Sequence, residues 1–102
     1  MNRLRPGQFE RIAKALADPR RFALLETIAA GTECPQARLC RMFPVNKATI
    51  SHHLKELVQA GLVEAEKEGQ YAHYDVCRGV LEAYSAELMH RVAKTPAAAA
   101  TT

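Results

Sequence analysis

The run Asn46-Lys-Ala-Thr-Ile-Ser-His-His-Leu-Lys55 concentrates side chains that hydrogen-bond base edges or phosphates, and it contains no carboxylate. An acidic group there would be repelled by a polyphosphate, so the exclusion has chemical meaning. At helical spacing Ile50, Leu54, Leu57 and Val58 fall on an inner face, while Lys47, Ser51, His52, Lys55 and Gln59 are left facing outward. His53, three residues after Ile50, tilts toward the inner face and reads as a packed histidine. The other reactive side chains are three cysteines, Cys34, Cys40 and Cys77. An odd count with no dense framework suits free thiols in a reducing compartment.

The elements that must position these groups are legible as a succession of short segments. Phe9, Ile12, Ala13 and Leu16 form one stripe of a first helix. Asp18 as an N-cap and Pro19 at the first helical position start a second, whose buried side is Phe22, Leu24, Leu25 and Ile28, with Gly31 at its end. Pro35 opens a short third helix with Leu39, Cys40 and Phe43 as a narrow stripe, and Pro44 stops it. Asn46 caps a fourth helix, Lys47 to about Ala60, terminated by Gly61 in a left-handed conformation.

The period then changes to two. Leu62 to Lys67 and Tyr71 to Val76 alternate around a turn at Glu68-Gly69-Gln70, which predicts a hairpin. A last helix from about Arg78 to Ala93 lines up Leu81, Tyr84, Leu88 and Val92. The tail from Lys94 to Thr102 has no stripe to dock and is expected to be mobile.

The fold class is therefore mainly α with a small β-hairpin wing, in the order α1-α2-α3-α4-β-β-α5. Residues 1–93 are expected to form one domain for DNA binding and dimerisation, followed by the tail 94–102. Two short helices joined by a tight turn and followed by a hairpin form a winged helix-turn-helix, whose second helix enters the major groove. The apolar stripes of the first and last helices predict an isologous homodimer interface centred on Phe9, Ile12, Leu81, Tyr84 and Leu88.

Composition narrows the alternatives. A net charge of +3 is too mild to establish nucleic-acid binding alone, so the placement of charge has to decide. No Trp and 6% aromatic residues argue against stacking platforms for single strands. No apolar run is long enough for a membrane span and the N-terminus has no secretory pattern, so a cytoplasmic location without a membrane partner is expected. No Gly-rich phosphate loop, G-x-S-x-G or H-E-x-x-H is present, so no enzyme is expected, and the sequence leaves open whether any cofactor is bound. The rival class is a winged-helix protein-interaction module, which should carry apolar anchors or carboxylates where this chain has Lys47, Ser51, His52 and Lys55.

Ala15-Leu-Ala-Asp-Pro-Arg-Arg-Phe22, Ala48-Thr-Ile-Ser-His-His-Leu-Lys-Glu-Leu57, Ala60-Gly-Leu-Val63 and Glu68-Gly-Gln-Tyr71 through Tyr74 occur in one order, and together they resemble the ArsR/SmtB family of small dimeric repressors. The resemblance implies repression by a dimer bound to operator DNA and released by an inducer. It implies DNA contacts at Asn46, Lys47, Thr49, Ser51, His52 and Lys55, with wing residues Lys67 and Gln70 near phosphates.

Sensing is where this chain departs from the family pattern. The Cys-x-Cys pair that the resemblance would place before the recognition helix is reduced to Cys34-Pro35-Gln36. Cys34 and Cys40, if on one helix, would diverge by about 240° and roughly 9 Å along the axis. Cys34, Cys40 and Cys77 together could still offer three soft thiolates to arsenite, within a chain or across a dimer. Asp75, Cys77, Glu87 and His90 approximate, without reproducing, a zinc set on the last helix. A disulfide switch between Cys34 and Cys77 is a third option. The ordinary reading makes Cys40 core, Cys77 a small junction residue and Cys34 an exposed thiol without a role.

Overall fold

A computed structural model describes residues 3–93; the predicted tail lies outside them. Helix α1 (Gln8–Leu16) follows Gly7, whose φ of 79° is left-handed, and it buries Ile12 and Ala15. Helix α2 (Pro19–Ala29) starts where Asp18 accepts the backbone N–H groups of Arg20 and Arg21 at 2.9 and 3.1 Å. Such a cap is worth about 1 kcal/mol. Leu24, Leu25 and Ile28 form its buried side. Phe22, expected there as well, is 43% exposed, because it lies about 200° around the helix from Leu24.

Helix α3 spans Gln36–Met42, and α4 spans Lys47–Gln59. Asn46 caps α4 by accepting the Thr49 N–H at 2.8 Å, and Gly61, at φ 81°, turns the chain out of it. Strands β2 (Val63–Glu68) and β3 (Tyr71–Val76) pair antiparallel from Val63 opposite Val76 to Glu68 opposite Tyr71. This is the expected wing, with Gly69 at φ 62° in its turn. Helix α5 (Arg78–Leu88) continues into a π-helical turn, Met89–Ala93.

The sequence reading missed β1 (Cys34–Pro35), which pairs antiparallel with β3 and makes a three-stranded sheet in the order β1-β3-β2. Pro35 is tolerated there because the strand lies at the sheet edge, and it precedes α3 instead of opening it. Cys34 faces Tyr74 and is 3% exposed, so it is a core residue and not the exposed thiol expected.

The core joins α1, α2, α3, α4 and the sheet through Ile12, Leu24, Ile28, Leu39, Ile50, Leu54 and Leu57 from the helices and Cys34, Val63 and Tyr74 from the strands. Ile12 has no accessible surface in the single chain, so its expected place at a dimer interface is corrected to the chain's own core. No residue of α5 is fully buried. Val80, Leu81 and Tyr84 pack partly against the core, while Leu88, Met89 and Val92 stay exposed. No described helix is long and apolar enough to cross a membrane.

Candidate nucleic-acid interface

The inner face of α4 is fixed by Ile50, Leu54 and Leu57, and this rotation presents Lys47, Ser51, His52 and Lys55 to solvent. Asn46 is exposed and Thr49 half-buried. Asn46 uses its side-chain oxygen on the Thr49 N–H, which leaves its amide NH₂ to donate outward. Lys67 on β2 and Gln70 in the wing turn are also exposed. The eight expected contact residues thus divide between α4 with its cap and the wing.

His53 turns inward, as its spacing predicts, and is 7% exposed. Its Nδ1 accepts a hydrogen bond from Arg21 Nε at 3.3 Å, which ties α4 to the first turn of α2. Burial pushes the imidazole pKa down, partly opposed by the nearby Asp18 carboxylate. Asp18 is itself held below its ordinary value, chiefly by the Arg21 N–H it caps.

Gln36 is a residue the sequence reading did not single out. Its Nε2 donates to Ser51 Oγ at 3.0 Å, and its Oε1 accepts the hydroxyl of Tyr74 at 2.9 Å. Tyr74 is buried in the sheet, so Gln36 links β3 to the outer face of α4. With its oxygen lone pair accepting from Gln36, the Ser51 hydroxyl keeps its proton to donate outward.

The thiols do not converge. Among the described residues no group of three or more His, Cys, Asp or Glu could hold a metal ion. Cys34 sits in β1, Cys40 is half-buried on α3, and Cys77 precedes α5 with its N–H on Leu62 O at 2.8 Å. Burial pushes the Cys34 and Cys77 thiols up, which favours the protonated form. Asp75 accepts the Glu33 N–H at 2.8 Å, and Glu87 pairs with Arg91, so two of the four residues of the approximate zinc set are engaged elsewhere.

Apart from the buried Ile12, the α1 and α5 residues expected at a dimer interface form one patch. Phe9 and Tyr84 pack with ring centroids 5.0 Å apart and planes tilted by 34°, and the Arg91 guanidinium lies 4.2 Å from the Phe9 ring centre. Leu81 is half-buried beside them and Leu88 is 39% exposed.

Two short helices set against each other, the second with a polar outer face, and a hairpin wing on a three-stranded sheet define a winged helix-turn-helix protein. A family model described as a helix-turn-helix domain matches residues 16–66, half of the chain. The Bacillus subtilis transcriptional repressor SdpR is 31% identical over 71 residues, which cover 70% of this chain and 78% of that protein. An ArsR-like transcriptional regulator from Rhodococcus sp. RHA1 superposes with a TM-score of 0.73 at 25% identity, covering 85% of this chain and 80% of the other. A homodimeric winged helix-turn-helix DNA-binding domain from Mycobacterium bovis gives 0.66 at 30% identity, covering 82% and 78%. The chain belongs to the ArsR family of winged helix-turn-helix transcriptional regulators.

Proposed function

We propose that this chain is a transcriptional repressor that binds duplex operator DNA as a homodimer, with α4 in the major groove and the β2–β3 wing against the neighbouring backbone. The observation that carries the reading is the outer face of α4, where Lys47, Ser51, His52 and Lys55 are exposed with no carboxylate from Asn46 to Lys55. Ser51 and His52 are assigned to base edges, with the amide of Asn46 and the hydroxyl of Thr49 beside them at the helix start. Lys47, Lys55, Lys67 and Gln70 are assigned to phosphates. This is a binding function that calls on no catalytic group.

Dimerisation is supported by the homodimeric Mycobacterium relative and by the patch of Phe9, Leu81, Tyr84 and Leu88. A two-fold dimer matches an inverted-repeat operator with half-sites one or more helical turns, about 10 base pairs each, apart. Residues 1–93 act as one binding and dimerisation unit in this reading. Release by an inducer completes it, and the raised thiol pKa values favour structural over sensory cysteines.

Fluorescence anisotropy with the chain's own upstream DNA tests the proposal, with arsenite, zinc and a mild oxidant added in turn. Saturable binding that prefers this DNA to a random duplex is expected. Lys55→Ala should weaken both complexes and lower the salt slope by about 0.9 per lost phosphate contact. Absence of saturable duplex binding at low salt would leave the protein-interaction module as the better reading.

A further inference from the structure

We infer that the cleft between α3 and the wing seats the operator's sugar–phosphate backbone, with Arg41 and Tyr71 as contacts beyond those already assigned. The inference rests on the operator-binding reading and extends its surface. The cleft encloses about 700 Å³, and its walls include Gln36 and Arg41 from α3, Lys47 from α4, and Gln70, Tyr71 and His73 from the wing. None of the residues lining it is acidic.

Charge and continuity identify the occupant. Lys47 and Gln70 belong both to this cleft and to the proposed interface, so a strand running from the groove read by α4 to the wing has to cross it. Arg41 is exposed and makes no ion pair among the described residues, which leaves its guanidinium fork available for a phosphate. Tyr71 is 69% exposed at the tip of the wing, next to Gln70, and its ring lines the cleft. Against a sugar–phosphate chain its ring packs on deoxyribose and its hydroxyl donates to a phosphate oxygen. A small anionic ligand would use the same cations but would not explain why the cleft is continuous with both DNA-contact elements.

The test compares the full chain with Arg41→Ala, Arg41→Lys and Tyr71→Ala on operator and random duplexes across a KCl series, and on operator duplexes carrying one uncharged methylphosphonate per half-site. Arg41→Ala is expected to weaken operator and random duplex by the same factor. It should lower the salt slope by about 0.9 per contact, hence about twice that for a symmetric dimer. Arg41→Lys should restore the slope. One neutralised phosphate per half-site should weaken the parent protein and leave Arg41→Ala unaffected, and Tyr71→Ala should weaken both duplexes with little change in slope. If Arg41→Ala and Tyr71→Ala bind like the parent while Lys55→Ala is weakened, the cleft is overturned and the repressor reading stands. If the parent shows no saturable duplex binding, both fall.

Discussion

Ser51 and His53 stand two positions apart on α4, and about 200° of helical rotation gives them opposite tasks. Ser51 faces out and receives Gln36, whereas His53 faces in and receives Arg21. Gln36→Met removes the bond that orients the Ser51 hydroxyl. It should reduce the preference for operator over random duplex by up to about 1–3 kcal/mol while leaving random-duplex affinity nearly unchanged. Added to Ser51→Ala it should cost little more, and full additivity in that cycle would show that Gln36 acts elsewhere. His53 gives a pH dependence. Its folded pKa lies below the ordinary 6.5, so unfolding takes up a proton as pH falls. The stabilising contribution is complete above about pH 6.5 and is lost as pH drops from there through the lowered value. Protonation also places a hydrogen on Nδ1, where the Arg21 Nε donor already points. The charged groups around it are Asp18, Arg20, Arg21 and His52. Urea midpoints at pH 7.5 and 5.5 should separate more in the parent than in His53→Gln, and an equal drop in both would assign the effect to other groups. The outward assignments and the inward ones of Ile50, His53, Leu54 and Leu57 were legible because α4 is 13 residues long with a clear period. Val58, expected on the inner face, is 37% exposed because it lies about 100° around the helix from Leu57. Gln36 was not legible, because its partners lie 15 and 38 positions away in sequence.

At the scale of elements, the junction between α4 and β2 depends on backbone conformation. Gly61, at φ +81°, lies in the region that side chains avoid, and a Cβ built there would come within 2.5 Å of Gln8 Nε2. That nitrogen donates to Ala60 O at 2.9 Å in a buried bond joining α1 to the end of α4. Gly61→Ala therefore combines left-handed strain of about 1–2 kcal/mol with displacement of a buried donor. Thermal denaturation should report a loss of about 2–4 kcal/mol, with Gly31→Ala, which meets no neighbouring atom, as the silent control. The glycine terminator could be read from its place after an amphipathic run. Strand β1 could not, since two residues carry no period and their pairing with His73 and Tyr74 is set by tertiary approach. That omission also misplaced Cys34, whose burial follows from the strand. The π-helical turn at Met89–Ala93 was likewise invisible, because its residues continue the helical stripe of α5.

For the whole molecule, shape and exposed apolar surface point the same way. The described chain measures 57 × 28 × 23 Å with a Cα radius of gyration of 16.1 Å, against about 13 Å for a compact domain of 100 residues. The elongation accompanies a terminal helix whose outer turns expose Leu88, Met89 and Val92 at 39%, 58% and 73%. Side chains of this kind gain about 25 cal/mol for each Å² of apolar surface removed from water, and a second copy across a two-fold axis offers the same stripe in return. Leu88 contributes little to the single-chain core, so Leu88→Glu should disrupt assembly without unfolding the subunit. Light scattering at micromolar concentration should give a dimer for the parent and a monomer for Leu88→Glu. The melting temperature should rise with concentration in the parent and not in the variant. Operator affinity should fall with assembly, because a monomer reaches one half-site while the paired recognition helices reach two. A parent that scatters as a monomer, or a Leu88→Glu protein that remains dimeric, would remove α5 from the interface and require another surface to provide the symmetry.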